Sequence, residues 1–511
     1  MVGKESSFYQ TLLAKPSQSR DSAPHVVFIR AFEHGISDFL TLVNDSFTHK
    51  DLDVVSATTA VHRLARWWSK NEKATAEIVH RTLDVLVLIS RNLADIFRFK
   101  AEDSQVVQPR HFAITAWAYA TLLRCRTLQL HAENLTGLFR PLAEAAVPRL
   151  PEFDGQSLGN LLWGFAVVRQ VHRRLFFVAS RRAIQLLQSE ELLGQNLSNV
   201  LWSFSQMRLA NHALFEAVAG CPDVFRGPVS SQHITNILWA FSRIHGKIGM
   251  FRTFCDAGAE AAIPKLQSFK TQELANLVWT FANQTLYHEG LFAAVAHHAR
   301  GRIADFENFD LSQLLWSFAK VWWRDVSLMK EAAQDMLCGP KQRLKHMCAQ
   351  DLGCVLWAFA MLQWQDEELF RALAQAVREH FSTLKPLDVG NVAWALSVSK
   401  QMDFETAGLI ADSALRANDF DTAEGWVHVL CALQPLAAKL SNRWEELLGR
   451  FEGRIFKPLC PLASFTLCTK NFKALWQPTL RIITHHYASL RIITHGYIMI
   501  CNITYIYICI M

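Results

Sequence analysis

The sequence predicts an all-α fold, a right-handed α-solenoid of tandem helix-turn-helix repeats with a period of about 38–40 residues. Three observations predict this fold. A nine-residue motif recurs along the chain, the apolar residues within it have helical spacing, and a second amphipathic segment follows most copies. Recurrence at such a period is typical of repeat proteins, because each unit buries its apolar face only against its neighbours.

The motif is clearest in residues 197–205, LSNVLWSFS, where Trp202 stands in the sixth place. Positions are counted here from this Trp, which is position 0. Trp163 and Trp394 lie 231 residues and six repeats apart, so the mean period is 38.5 residues. The structural repeat Trp residues are Trp117, Trp163, Trp202, Trp239, Trp279, Trp316, Trp357 and Trp394.

Helical periodicity identifies both halves of a repeat. Leu197, Val200, Leu201 and Phe204 stand at i, i+3, i+4 and i+7, which places them on one apolar stripe of an α-helix. A Leu followed by Phe or Met at positions +12 and +13 then opens a second amphipathic helix. These pairs are Leu175–Phe176, Leu214–Phe215, Leu291–Phe292, Leu328–Met329 and Leu369–Phe370.

The repeat pattern divides the chain into four segments. Residues 1–50 are interpreted as N-terminal capping helices or a targeting region, and residues 51–435 as the repeat array, with strong units within 112–420. Degenerate units are expected at both ends of an array. Residues 436–479 are interpreted as a C-terminal cap. Residues 480–511 contain LRIITHHYAS followed by LRIITHGYIM, and we interpret this low-complexity apolar tail as a non-native extension, with a tail anchor or an aggregation-prone strand as alternatives.

The degenerate end units keep the motif's spacing but lose its Trp. In the first, ATTAVHRLA (residues 57–65), His62 takes the Trp position, and a faint last copy is expected near residues 425–433. The N-terminal sequence lacks a secretory signal, and Glu5 and Asp21 weaken a transit-peptide interpretation.

Composition limits the class of protein. Half of the residues are hydrophobic, which excludes general disorder, and the net charge of +6 permits an anionic partner without requiring one. The eleven Cys include no C-x-x-C pair and are expected to be reduced, as in an intracellular or organellar interior.

No catalytic motif is found in the sequence. Phosphate-binding glycine loops, H-E-x-x-H and G-x-S-x-G do not occur, and the adjacent pairs His297–His298 and His485–His486 point to different helix faces. We therefore expect no enzyme, no cofactor, no metal site and no small-molecule substrate, and we expect no association with a membrane.

The repeat Trp has two interpretations. Small residues flank it at positions −4, +1 and +3, as in Ser198, Ser203 and Ser205 around Trp202. This pattern favours a Trp that packs in the groove between repeats that approach closely, because large aromatic side chains dominate burial. Stacking on nucleic-acid bases is the alternative interpretation.

Two further positions lie beside the Trp on the helix surface. Position −3 is amide-rich, whereas position +4 varies from repeat to repeat. An amide on a mostly buried helix is most simply explained by a hydrogen bond to the neighbouring repeat's backbone. A variable polar residue beside a constant scaffold would suit a reader of base edges, although surface drift explains the variation equally well. Position +4 is occupied by Val167, Gln206, Arg243, Asn283, Lys320, Met361 and Val398.

Several cations lie shortly after the motif. They predict a basic stripe that contacts phosphates. The alternative interpretation is a solvated face of the helices. These cations are Arg169, Arg173, Arg174, Arg208, His245, Lys247, Arg324 and Lys400.

The unit L-x-N-L-L-W-A-F-A at this spacing resembles the octotricopeptide repeats of organellar RNA-binding proteins, such as the chloroplast translation factor of green algae. It is also similar to the helical region of the FAST-kinase-like proteins of mitochondria. The resemblance covers roughly residues 110–420. It implies sequence-selective binding of single-stranded organellar transcripts in a chloroplast or mitochondrion. Control of RNA stability, RNA processing or translation would follow, with other gene-expression proteins as further partners.

Many members of that group end in a nuclease-like RAP domain, of which residues 436–511 show no sign. On this interpretation about one base contacts each repeat, and Arg243 with Asn236 and Lys320 with Gln313 form the main contact pairs. The full set of candidate RNA-binding residues is Asn160, Asn199, Gln206, Asn236, Arg243, Asn276, Asn283, Gln313, Lys320, Asn391, Arg169, Arg208, Arg324 and Lys400.

Two other classes of function fit the repeats. The first is an armadillo-like scaffold that binds peptides or proteins, in which Asn and Trp ladders hold an extended chain. The second is an assembly scaffold whose Trp and Asn residues all pack internally. Salt dependence separates these classes from RNA binding, because contacts to phosphate weaken steeply as salt rises.

Overall fold

A computed structural model of the chain describes residues 24–49, 52–71, 74–129, 135–209, 211–226, 229–243, 248–416 and 423–451. These residues form α-helices joined by short turns and 3₁₀ segments, and they contain no β-strand. The predicted all-α helical-repeat fold is confirmed. Its handedness stays a prediction, and the tail at 480–511 lies outside the described residues.

The longer helices alternate in role along the chain, and from α5 to α19 each odd-numbered helix carries one repeat Trp. They are α1 (Pro24–His34), α2 (Ile36–His49), α3 (Val54–Trp68), α4 (Ala76–Phe99), α5 (Pro109–Leu123), α6 (Phe139–Arg149), α7 (Gly155–Val167), α8 (Arg173–Gln188), α9 (Gly194–Gln206), α10 (His212–Ala219), α11 (Ser231–Ser242), α12 (Ile248–Ala262), α13 (Thr271–Asn283), α14 (Glu289–Ala299), α15 (Asn308–Lys320), α16 (Val326–Cys338), α17 (Ala349–Met361), α18 (Glu367–Glu379), α19 (Pro386–Val398), α20 (Phe404–Arg416), α21 (Ala423–Leu433) and α22 (Asn442–Phe451).

The chain divides into two compact units, residues 1–331 and 332–511, and the division falls within α16. In the first unit each odd-numbered helix from α1 to α13 packs on the next odd-numbered helix. The even-numbered helices from α2 to α14 likewise pack in sequence and form a second layer. In the second unit α19 packs between α17 and α21, while α20 packs on α22. Helix α22 lies within residues 436–479, the segment interpreted as a C-terminal cap.

Apolar residues of the motif form the core between the two layers. Leu158, Leu161, Leu162 and Phe165 of α7 are buried. Burial of each such side chain stabilises the fold by about 1.5–3 kcal/mol. The Phe at position +13 also meets the Phe at +2 of the next repeat edge-to-face. The three pairs with this geometry are Phe176–Phe204, Phe215–Phe241 and Phe292–Phe318, with ring centroids 5.1, 4.9 and 5.3 Å apart.

The odd-numbered helices approach each other closely because small residues line their contact. A Cβ added at Gly164 would lie 2.6 Å from the backbone carbonyl of Ala116 on the preceding odd-numbered helix. The hydroxyl of Ser205 donates a hydrogen bond of 2.9 Å to the carbonyl of Ala240 on the following one. The small positions around the Trp therefore join one repeat to the next, as the sequence pattern indicates.

The turn between the two helices has a repeated geometry. Position +6 adopts a left-handed conformation, and the N–H of position +7 then donates to the carbonyl of position +2, as Leu209 does to Phe204 at 3.0 Å. Position +9 next caps the second helix: the side chain of Asn211 accepts a hydrogen bond of 3.0 Å from the N–H of Leu214. The left-handed residues at +6 are Arg169, Arg208, Thr285, Trp322, Gln363 and Lys400.

A histidine ring contacts the first and the last repeat Trp of the described array. The ring of His62 lies 5.4 Å from that of Trp117 in the first unit, and the ring of His428 lies 6.1 Å from that of Trp394 in the second. Burial, with help from Arg66 and Arg63, lowers the pKa of His62. Within the described ranges, no helix has both the length and the apolar character needed to cross a membrane.

Candidate nucleic-acid interface

The repeat Trp residues are neither fully buried nor fully exposed. Most retain partial solvent access while the rest of the ring packs against the protein, and Trp357 is the buried case, at 8% exposure. Each partly exposed Trp therefore packs against the protein and also keeps part of its surface in contact with solvent. The partly exposed indoles are Trp117, Trp163, Trp202, Trp239, Trp279, Trp316 and Trp394.

Position −3 lies beside the Trp and keeps its amides accessible. Asn160, Asn199, Asn236 and Asn276 are half-buried, and Asn391 is exposed. We expected these amides to bond the backbone of the neighbouring repeat. No such bond is present among the described residues.

One pair of −3 amides is bonded instead by its side chains. Gln313 Nε2 donates a hydrogen bond of 3.1 Å to Asn276 Oδ1 on the preceding odd-numbered helix. The amides of Asn160, Asn199, Asn236 and Asn391 have no hydrogen-bond partner in the described part of the protein. Most −3 amides are thus free to bond a ligand.

The seventh repeat has a thiol at position −3. Cys354 is half-buried, and burial, with Asp388 and Asp351 nearby, raises the pKa of its thiol to about 12. The thiol is therefore neutral near pH 7. A neutral thiol is a weak hydrogen-bond donor and acceptor, so this repeat offers little to a polar ligand at the −3 position.

Cations at position +4 lie over the indole of their own helix. The guanidinium carbon of Arg243 is 4.9 Å from the ring centroid of Trp239, and Nζ of Lys320 is 6.0 Å from that of Trp316. Both cations are exposed. This geometry permits a cation–π contact while the charge stays available to an anion.

The amide candidates at +4 differ from the cations. Asn283 is exposed and donates a hydrogen bond of 3.3 Å to the carbonyl of Ser242 at the end of α11, and Gln284 donates to the same carbonyl. Asn283 therefore caps the preceding odd-numbered helix. Gln206 is half-buried and has no hydrogen-bond partner in the described residues.

Position −7 is a column that the sequence reasoning missed. It lies in the first turn of each odd-numbered helix, about 20° from the Trp on the helix surface. Phe309, in the sixth repeat, is 58% exposed. The recurrence of Gln every 37–40 residues was the signal in the sequence that could have revealed this column. The exposed residues at position −7 are Arg110, Gln156, Gln195, Gln232, Gln272, Phe309 and Gln350.

We call positions −7, −3, 0 and +4 of each odd-numbered helix the repeat stripe. The four positions span about 60° of the helix surface, so their side chains face the same side. In the first unit the stripe joins aromatic faces, amides and cations on neighbouring helices. Such a surface can stack planar groups, bond their edges and neutralise anionic charge.

The predicted basic stripe contains exposed cations at the helix ends. Arg169, Arg208, Arg324 and Lys400 are all exposed. Three of them occupy the left-handed position +6, where a cation also favours the negative end of the helix dipole. Arg173 and Arg174 are exposed at the start of α8, whereas His245 and Lys247 lie outside the described residues.

Other basic residues are engaged in the scaffold. Lys265 donates to the carbonyl of Val229 at 2.9 Å, and Arg302 donates to that of Phe269 at 3.0 Å. Arg182 likewise donates to the carbonyl of Phe153 at 2.9 Å. These cations stabilise loop carbonyls and are separate from the repeat stripe.

Metal-ligating side chains do not cluster in threes anywhere in the described ranges. His297 and His298 have ring centroids 5.2 Å apart and nearly perpendicular planes, and His485–His486 lies outside the described residues.

The fold defines a class, the all-α helical-repeat proteins. Residues 226–367 match the model of a family described as "RNA-editing substrate-binding complex 6 protein". This match supports a relationship to an RNA-related helical protein family, and it includes the repeats of Trp239, Trp279, Trp316 and Trp357. A search of curated proteins gave no significant match.

Proposed function

We propose that the protein binds single-stranded RNA along the repeat stripe, with about one nucleotide per repeat. The observation that carries this proposal is the recurrence of a partly exposed indole beside an unpartnered amide, at Trp163 with Asn160, Trp202 with Asn199 and Trp239 with Asn236. A base can stack on the indole while its edge bonds the amide. The exposed cations would neutralise phosphates.

The matched family supports the same proposal, because its description includes the binding of an RNA-editing substrate. We infer that this chain acts by binding and not by catalysis. We also propose an organellar role, in a mitochondrion or a chloroplast, in which RNA binding controls transcript stability, processing or translation. The resemblance to octotricopeptide-repeat proteins supports this finer proposal.

Binding of the full-length chain to a randomised pool of single-stranded RNA at two salt concentrations tests the proposal. We expect enrichment of a sequence motif and an affinity that falls as salt rises, since contacts to phosphate release counterions. No retention of RNA at low salt would reject the proposal.

Two Trp substitutions make this test specific to the stripe. Trp239→Leu should lower RNA affinity by about tenfold, as expected for the loss of one stacked base. Trp357→Leu is the matched control, because Trp357 is buried and has little ring surface to offer. Equal losses for both variants would indicate that the indoles act only through folding.

A peptide-binding scaffold remains the alternative function. Free amides at Asn160, Asn199 and Asn236 could equally pair with the backbone of an extended peptide. Retention of peptides with weak salt dependence, together with no binding of RNA, would favour that function.

A further inference from the structure

Repeats of the first unit differ in how their −3 amides are engaged. In the repeats of Trp163, Trp202 and Trp239 the −3 Asn has no partner within the described protein, and an exposed Gln stands at −7. In the next two repeats the −3 amides bond each other, through Gln313 and Asn276. The two groups of repeats therefore offer different chemistry to a ligand.

Gln313 has no acceptor left for a base edge, and one of its two amide N–H groups is already engaged. Its Nε2 donates to Asn276, and its Oε1 is buried with no hydrogen-bond partner. Reading a base requires a donor or an acceptor that the base edge can reach. With only the second N–H of Nε2 left, Gln313 cannot form the paired donor and acceptor contact by which an amide selects a base.

The repeat of Trp279 is similarly restricted. Asn276 Oδ1 accepts from Gln313, which hinders a paired donor and acceptor contact to a base, and Asn283 at +4 caps the carbonyl of Ser242. Both amides beside this indole are thus held by neighbouring repeats. The aromatic face of Trp279 remains partly exposed.

The repeat of Trp316 has a different character at its other stripe positions. Phe309 at −7 is 58% exposed where the four preceding repeats of the array carry Gln, and Lys320 at +4 lies over the indole. These side chains supply an additional aromatic face and a positive charge. Neither distinguishes one base from another, because every base has a π-face and every nucleotide a phosphate.

We propose that the repeats of Trp279 and Trp316 hold two successive nucleotides without selecting their bases, whereas the repeats of Trp163, Trp202 and Trp239 select theirs. This inference rests on the proposed function and adds which repeats carry specificity. The RNA site of the first unit then contains selected positions followed by a two-nucleotide gap in selectivity.

The test measures the affinity of the full-length chain for every single-nucleotide variant of an RNA selected from the randomised pool. Asn236→Leu fixes the register, because it should abolish discrimination at one nucleotide only. Next to that nucleotide, on the side of the following repeats, we expect two positions where all four bases bind within about twofold. At the selected positions a wrong base should weaken binding on the order of tenfold.

Two further variants separate stacking from selection. Gln313→Leu frees the Asn276 oxygen and should create discrimination of severalfold or more at the nucleotide facing Trp279. Phe309→Ala should weaken binding to all sequences alike, by about tenfold, with an unchanged base preference. Thermal unfolding of each variant shows whether the fold persists.

The outcomes of this test are distinct. Discrimination at the two gap positions equal to that at the neighbouring positions would overturn the inference and leave RNA binding intact. No base preference at any position would also overturn it, since no repeat would then select. No binding to RNA at all would reject the proposed function itself.

Discussion

The guanidinium of Arg243 lies 4.9 Å from the ring of Trp239, one helical turn earlier on α11. Arg243 is exposed and Trp239 is partly exposed, so this pair places a positive charge and an aromatic ring together at the protein surface. A ligand that contains both a planar group and an anion satisfies both at once, and a nucleotide is such a ligand.

Removal of the stripe cations should weaken RNA binding in a salt-dependent way. The double variant Arg243→Ala with Lys320→Ala is expected to lower affinity by about tenfold at low salt. It should also reduce the slope of log K against log salt by about 1.4, because each lost phosphate contact on a single strand contributes about 0.7. Filter binding across a salt series measures both quantities.

Arg140→Ala is the matched control for this prediction. Arg140 is exposed on the even-numbered helix α6 and pairs with Glu144 at 2.9 Å, away from the stripe. Its removal should leave the salt slope unchanged. If the double variant kept the parental affinity and slope, the assignment of Arg243 and Lys320 would be wrong.

Substitution of Arg208 should change protein stability and RNA affinity in opposite directions. It adopts a left-handed conformation with φ of 53°, which costs a residue with a side chain about 1–2 kcal/mol. Arg208→Gly should therefore raise the free energy of unfolding by about 1 kcal/mol and lower RNA affinity severalfold. Thermal unfolding and RNA titration of the same preparation measure the two effects.

Thr285 provides the comparison, since it occupies the same left-handed position with φ of 52° but carries no charge. Thr285→Gly should raise stability by a similar amount and leave RNA affinity unchanged. Unchanged RNA binding by Arg208→Gly would show that this cation serves only the helix end.

Close contact between odd-numbered helices should make Gly164 intolerant of any side chain. The Cβ in Gly164→Ala would lie 2.6 Å from the backbone of Ala116, so one helix must move. We expect a loss of about 1–3 kcal/mol in the free energy of unfolding, visible as a lower Tm. Gly137→Ala is the control, because its Cβ would meet nothing within 4 Å; an equal change in Tm for both would contradict the prediction.

The free energy of unfolding should decrease as the pH is lowered, partly because of His111. Burial, with Arg110 nearby, lowers the pKa of His111 to about 4, and its Nδ1 accepts a hydrogen bond of 3.1 Å from the N–H of Gln108. The unfolded chain takes up a proton near pH 6.5, whereas the folded chain does not until about pH 4. Stability from this group is therefore complete above pH 6.5 and declines as pH falls towards 4.

The expected loss is on the order of 3 kcal/mol across that pH interval, from a shift of about 2.5 pKa units. His111→Gln retains an acceptor for the helix cap and does not titrate. Comparison of Tm at pH 7 and pH 5 should give a smaller drop for His111→Gln than for the parent chain. An identical drop would exclude His111 as the source.

The sequence was sufficient for the helical pairs, because the apolar period and the repeated Trp fix which residues face the core. It also identified His62 as the substitute for Trp in the first degenerate unit, where the ring of His62 now lies beside Trp117. It could not predict that the indoles keep part of their surface exposed. Periodicity gives the direction of a side chain and not the distance to its neighbour.

The amide contacts could not be predicted for a related reason. Asn160 and Asn276 stand at the same position of the motif, yet only Asn276 meets a partner, since the longer Gln313 reaches it from the next repeat. The left-handed backbone conformation at position +6 could not be predicted from the sequence either. Arg, Thr, Trp, Gln and Lys occupy it, and none of these has the conformational preference of glycine.

The hydrogen bond from Ser205 to Ala240 joins one repeat to the next through positions that recur in the motif. Because these positions recur from repeat to repeat, one repeat can pack on another copy of the repeat through the same contacts. Duplication or deletion of a whole repeat would thus change the number of modules without requiring a new contact surface. Under the proposed function, the RNA site would then lengthen or shorten with the number of repeats, while the contacts of each repeat stay the same.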